Sequence, residues 1–204
     1  MNKIERLKKL KEKMLNDDNL PLSKGAKNLV FGAGNPESKI LFIGEGPGYW
    51  EDQKGVPFVG NAGVFLNHLL TLVKLKREDV FITNVIHFRP PENRDPLPEE
   101  IEAFKPYLDS IIEIISPKVI VTLGRFSMAK FLPDARITAV HGKKFNAVWG
   151  RMNFTVVPMY HPAAGLRSLE IKRQTIDDFR KLGLILEEIN SKNIVEKGKQ
   201  MKLI

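Results

Sequence analysis

Four places in the chain carry side chains that could act together on a small planar ligand. Glu45 lies inside Gly44-Glu45-Gly46-Pro47-Gly48, and Phe58 sits in Pro57-Phe58-Val59-Gly60. Asn84 lies towards the end of the run Asp79-Val80-Phe81-Ile82-Thr83-Asn84-Val85-Ile86, and His161 stands between Tyr160 and Pro162. A carboxylate in a glycine-rich turn suits holding a water or steadying a developing positive charge. A side-chain amide offers one acceptor and two donors, enough to read the edge of an amide-containing ring such as a pyrimidine. A neutral imidazole can donate to a carbonyl oxygen, and an aromatic ring between two turn residues can stack on a base. Each residue also has a plainer reading, as helix cap, core ring, turn amide or structural histidine; the combination carries more weight than any member. The GEGPG turn further resembles a phosphate cradle, since glycines let backbone N–H groups approach an anion. No Gly-Lys-Ser/Thr follows it, however, and its spacing is not Gly-x-Gly-x-x-Gly.

The elements that must position these residues alternate along the chain. Ile4, Leu7, Leu10, Met14 and Leu15 have helical spacing over 3–15 and predict an amphipathic first helix. A loop with Pro21 and Gly25 and the turn cluster GAGNPES at 32–38 come next. The apolar runs at 39–44, 79–86, 118–124 and 154–160 predict four strands buried on both faces. Helices are expected at 62–73, at 98–115 with acidic residues in its first turn, from 124 to Leu132, and at about 171–190. Strand and helix alternation predicts an α/β three-layer sandwich, with a central, mostly parallel four-stranded sheet and helices on both faces. In such a sheet ligands gather at the carboxyl ends of the strands. Glu45, Asn84 and His161 all fall there.

The chain has 204 residues, 32 Lys plus Arg against 24 Asp plus Glu, a formal charge of +8 and no cysteine. At about 150 residues per domain this predicts one domain over 1–190, followed by a basic tail at 191–204 that frays. Without cysteine there is no disulfide, no thiolate zinc site, no cysteine-held iron–sulfur cluster and no thiol nucleophile. The apolar runs are far shorter than the ~18 residues a membrane span needs, and the start MNKIERLKKLKEK has no apolar signal core. A cytoplasmic protein is expected. The positive balance fits attraction to nucleic acid, although +8 alone is modest support.

GEGPGYWEDQKGVPFVGNAG at 44–63, Asn84 followed by RPPENRDPLPEE at 89–100, PKVIVTLG at 117–124 and MYHPAAGLR at 159–167 together resemble the family 4 uracil-DNA glycosylases. The similarity runs from about Pro21 to Ile189 in the same motif order. It implies an α/β enzyme of base excision repair that flips uracil out of DNA and hydrolyses its N-glycosidic bond, leaving an abasic site. Carried over by position, Glu45 is the catalytic acid of the first motif, Glu51 the second carboxylate of that loop, and His161 the group reaching uracil O2. Phe58 stacks on uracil, Asn84 reads its edge, and Gly44 and Gly46 shape the pocket. Leu166 and Arg167 lie on the loop that enters the duplex, with Asn93 and Arg94 as further DNA contacts. Uracil-containing DNA is the implied partner, and a monomer is expected.

The resemblance fails in one large respect. Typical members hold a 4Fe–4S cluster through four cysteines, and the matching positions here are Asp17, Leu20, Phe88 and Phe104. No cofactor is therefore expected; a hydrophobic plug of Leu20, Phe88 and Phe104 is the natural substitute. Gly165 stands where a larger residue is usual, which could loosen the intercalating loop, and His141-Gly142 stands where Arg-Gly is common. A covalent mechanism like that of a related group is disfavoured, because no inserted basic loop lies between Asn84 and Pro98, although His87 and His141 are present. The competing readings are a non-catalytic uracil- or DNA-binding relative that lost activity with its cluster, and a nucleotide-binding enzyme using GEGPG for phosphate.

Overall fold

The computed structural model describes the backbone of residues 1–201 and the side chains of 1–189 and 191. Among these the chain runs α1 (Lys3–Leu15), β1 (Ala33–Gly34), β2 (Ile40–Gly44), α2 (Tyr49–Lys54), α3 (Asn61–Leu72), β3 (Phe81–Asn84), α4 (Pro98–Ile115), β4 (Val119–Leu123), α5 (Arg125–Ala129), α6 (Ile137–Val140), β5 (Phe145–Trp149), β6 (Met152–Met159), α7 (Pro162–Arg167) and α8 (Leu169–Met201). Short 3-10 turns lie at Arg77–Asp79 and Pro91–Asn93.

The strands form one sheet in the order β1-β3-β2-β4-β6-β5. The four inner strands pair in parallel, and β1 and β5 close the edges antiparallel. Because successive strand residues point to opposite faces, the apolar runs feed two cores. Leu41, Ile43, Ile120 and Val156 pack with Leu7 and Met14 of α1 and with Phe104, Leu108, Ile111 and Ile112 of α4. Phe42, Ile82, Val121, Val157 and Met159 pack with Leu66, Leu69 and Leu70 of α3 and with Phe179 and Leu182 of α8. This is the expected three-layer sandwich.

The sheet has six strands where the sequence predicts four. β1 is two residues inside the GAGNPES cluster, too short to leave a periodic signal. β5 is an edge strand whose alternating Phe145, Ala147 and Trp149 are only partly buried, so it lacks a continuous apolar run. Three short helices were also unpredicted: α2, which is six mostly polar residues, α6, which is only four residues, and α7, which begins at a proline. In α1 only Leu7 and Met14 are buried, while Ile4 and Leu15 face solvent. The last helix starts at Leu169 and continues beyond Ser191 to Met201, rather than spanning about 171–190. The end of the expected tail, 202–204, lies outside the described residues.

β2 occupies the middle of the parallel set, with β3 on one side and β4 on the other. The connection leaving β2 leads to α3 on one face, and that leaving β3 leads to α4 on the other. The two loops diverge there and leave a crevice beyond the carboxyl ends of the strands, which is where an open α/β sheet binds its ligand.

Candidate active site

The crevice is a cleft of about 370 Å³. Its wall includes Glu45, Gly46, Glu51, Phe58, Asn84, Asn93, Arg94, Asp95, His161 and Arg167. Apart from Gly44 behind it and Leu166 outside it, every residue that the sequence singled out for the site therefore lines one space.

The floor is built by the parallel pairing of β2 and β3, which continues past both strands. Val85 N donates to Gly44 O at 3.0 Å and Ile86 N to Glu45 O at 3.1 Å. Glu45 is thereby fixed beside Asn84. Gly44 is required by close approach: a Cβ there would lie 2.4 Å from Asn84 Oδ1 and 2.7 Å from the Phe58 ring. Phe58 and Asn84 close over the glycine from two sides.

Asn84 is buried, and its Oδ1 has no hydrogen-bond partner among the described residues. Leaving a buried acceptor unpaired typically costs ~1–3 kcal/mol, and such an orphan in a cleft wall is accounted for by a ligand that donates to it. His161 caps α7, and its Nδ1 accepts from Ala163 N at 3.2 Å. An accepting Nδ1 is unprotonated, so the ring proton sits on Nε2 and can be donated. Burial pushes the His161 pKa down to about 4, with Arg167 acting the same way and Glu51 opposing. The ring is neutral at ordinary pH. It stacks against Phe58 with centroids 5.6 Å apart and planes 30° apart.

Phe58 has φ +53°, an unfavourable backbone for a residue with a side chain. Two charged groups hold its turn in place. Glu51 Oε1 accepts from Val59 N at 2.8 Å and from Gly60 N at 2.9 Å. Arg77 donates to Phe58 O at 2.8 Å and to Pro57 O at 2.6 Å. The second carboxylate of the loop thus serves the turn that carries the aromatic ring, and no periodicity or motif spacing identifies Arg77.

Glu45 is half-buried. Burial raises its pKa above the ordinary glutamate value, Asp95 adds to the rise, and Arg125 and Arg167 oppose it. Asp95 is ion-paired with Arg125. Arg94 is clamped on the buried carboxylate of Glu100 at 2.9 and 2.6 Å and donates to Asp95 O. Its charge is therefore spent on the loop, and of the two arginines expected to contact DNA, Arg167 is the exposed one. Asn93 accepts from Arg89 Nε at 2.8 Å. Leu166 is 48% exposed at the end of α7, as a wedge would be. Gly165 does not loosen that helix; a Cβ there would lie 2.8 Å from the Phe65 ring, so its absence lets α7 pack on α3. His87 and His141 do not line the cleft.

The positions matching the four cluster cysteines do not fit an iron–sulfur group. Leu20, Phe88 and Phe104 are buried in one core, with the Phe88 and Phe104 rings 6.1 Å apart. Asp17 Oδ2 instead accepts from the Tyr107 hydroxyl at 2.5 Å. None of the four offers a thiolate.

A family model described as the uracil DNA glycosylase superfamily matches residues 31–180, and the chain belongs to that superfamily. Within it, the similarity is to enzymes of type 4. The type-4 uracil-DNA glycosylase of Sulfurisphaera tokodaii is 41% identical over 185 residues, covering 88% of this chain and 84% of that one. Those of Archaeoglobus fulgidus and Thermotoga maritima are 46% and 43% identical, each over 79% of this chain and 84% of the relative.

Proposed function

We propose that the protein is a monofunctional uracil-DNA glycosylase that hydrolyses the N-glycosidic bond of uracil in DNA during base excision repair. The observation that carries this reading is the orphaned Oδ1 of Asn84, in a cleft also lined by the Phe58 ring and a neutral, proton-donating His161. Uracil complements that set: its N3–H donates to Asn84 Oδ1, its O4 accepts from the Asn84 amide, its O2 accepts from His161 Nε2, and its face lies on Phe58. Flipping a base out of the stack costs a few kcal/mol, which stacking on an aromatic ring at ~1–3 kcal/mol and the Leu166 wedge offset.

When the C1′–N1 bond breaks, its electron pair passes to the uracil ring and the sugar carbon becomes positive. His161 Nε2–H meets the charge developing on O2, and one such preorganised donor is worth ~3 kcal/mol in the transition state. The Glu45 carboxylate faces the opposite charge. It orients a water towards C1′ and takes its proton as the C–O bond forms, and burial supports this by raising its basicity. No step requires a metal or cofactor, because the polarising groups are all side chains of the cleft. Every residue given a role in this reading lies on one chain, and we propose that the protein acts as a monomer. Among the described residues no helix is long and apolar enough to cross a membrane, which supports action in the cytoplasm. We read 1–190 as one domain, since both cores draw on the same sheet.

Incubation with a uracil-containing oligonucleotide, followed by alkaline cleavage at any abasic site, tests the proposal. Strand breakage that depends on both uracil and Asn84 is expected. An intact strand after prolonged incubation would leave the non-catalytic reading in its place.

A further inference from the structure

Two of the largest aromatic side chains lie outside the core, beside the cleft. Tyr49 is 50% and Trp50 56% exposed at the start of α2, with ring centroids 5.1 Å apart and planes 80° apart. The residues on either side of the pair, Gly48 and Glu51, line the cleft. A Cβ on Gly60 would lie 3.4 Å from Trp50 Cδ1, so the indole rests on the turn that carries Phe58. The guanidinium of Arg89 lies 5.2 Å from the centre of the Tyr49 ring. The same Arg89 is tied through Nε to Asn93, which itself lines the cleft.

Packing does not account for this arrangement. Two rings half in water contribute little to either core, and neither belongs to one. An aromatic pair flanked by an arginine is instead the composition of surfaces that hold unpaired nucleic acid: bases stack on the rings, and the cation meets the ring face or a neighbouring phosphate. The pair also adjoins, through Gly48 and Glu51, the cleft in which the glycosylase reading places the uracil.

We propose that Tyr49 and Trp50, with Arg89, form a stacking platform for an unpaired base flanking the uracil, giving the enzyme a preference for single-stranded over duplex DNA. The assignment deepens the glycosylase reading and rests on it for the position of the strand. The platform itself requires only that unpaired bases bind.

The experiment therefore uses DNA without uracil. The chain has two tryptophans, Trp50 and Trp149, so Trp149→Phe leaves Trp50 as the only indole reporter. Titration of this protein with an oligothymidine strand should quench its fluorescence, and the same sequence as a duplex should quench it much less. In fluorescence anisotropy, Tyr49→Ala/Trp50→Ala should weaken single-strand binding by about 10- to 100-fold, the cost of losing base stacking, with a smaller effect on duplex. Trp50→Phe, which keeps an aromatic face, should recover most of the loss and excludes a folding defect as its cause. Unchanged single-strand affinity in the double variant, absent quenching, or an equal loss on duplex would each overturn the platform. A protein that binds and quenches but never cleaves uracil-DNA keeps the platform and overturns the glycosylase reading. One that cleaves normally while the aromatic variants bind like the parent does the reverse.

Discussion

Phe88 and Phe104 meet inside the α4 core with ring centroids 6.1 Å apart, at two positions where typical relatives place cluster cysteines. Phe104 also contacts the His87 ring, 5.7 Å away, and Leu20 is buried in the same core. The segment before β1 and the loop after β3 are thus held to α4 by packing. Asp17, at the remaining position, adds a hydrogen bond to Tyr107.

Truncating a buried phenylalanine to alanine typically costs ~3–5 kcal/mol. Phe88→Ala and Phe104→Ala should each lower the melting temperature. The rings share one space, so the double variant should lose less than the sum of the two. Single-turnover cleavage at low temperature should stay near the parent rate, because neither residue lines the cleft. A variant that melts normally but cleaves slowly would make the plug part of the chemistry.

The acid limb of the cleavage rate should belong to Glu45. Burial, with Asp95 adding to it, raises its pKa, so Glu45 is protonated earlier than an ordinary glutamate as the pH falls. A group acting as carboxylate works fully above its raised pKa and fails below it. Asp95→Asn removes the negative charge that adds to the rise and should shift the limb to lower pH. A limb that stays in place, or moves upward, would show that some other group controls it.

His87 predicts a pH dependence of stability separate from catalysis. Thr83 Oγ1 donates to Phe31 O at 2.8 Å, so at 3.2 Å from His87 Nε2 it acts as acceptor, and His87 is the Nε2–H tautomer. Its Nδ1 is buried without a partner among the described residues, and burial pushes the pKa down from 6.5 to about 3. Because the folded pKa is the lower one, protons favour the unfolded chain; the stability is complete above pH 6.5 and is lost as the pH falls towards 3. The slope from this ring is ~1.4 kcal/mol per pH unit. His87→Leu should remove that slope in denaturant titrations repeated from neutral to acid pH. An unchanged slope would mean that the ring is already protonated in the fold.

The parts of this structure that were legible in the sequence are those set by long apolar runs and by chain order. β2, β3, β4 and β6 are buried on both faces and therefore read continuously, and the ends of three of them carry Glu45, Asn84 and His161. β5 was missed because an edge strand buries one face, and α2 because six residues after Gly-Pro-Gly have no room for helical periodicity. What Glu51, Arg77 and Arg94 do was hidden for a different reason. Each acts on backbone or side chains brought near by folding, and no local spacing encodes that Glu51 accepts from Val59 and Gly60 or that Arg94 is held by Glu100.

Glu51 gives the sharpest separation of two roles. If it acts through the turn, its effect is exerted on Phe58, whose φ of +53° is held by the two N–H bonds to Oε1 and by Arg77. Glu51→Gln keeps an acceptor oxygen and should retain much of the activity, while Glu51→Ala frees the turn and should raise KM for uracil-DNA more than it lowers kcat. Phe58→Ala should have a similar profile. Because both changes remove the same ring contact, Glu51→Ala/Phe58→Ala should be scarcely worse than either single variant. A carboxylate acting on the attacking water predicts the opposite pattern: a loss of several orders of magnitude in kcat for Glu51→Gln, and multiplicative effects in the double variant. Single-turnover rates measured over a range of enzyme concentrations, which give the maximal rate and the half-saturation point separately, for the four proteins of the cycle and Glu51→Gln distinguish the two, and the second pattern would return Glu51 to the chemistry beside Glu45.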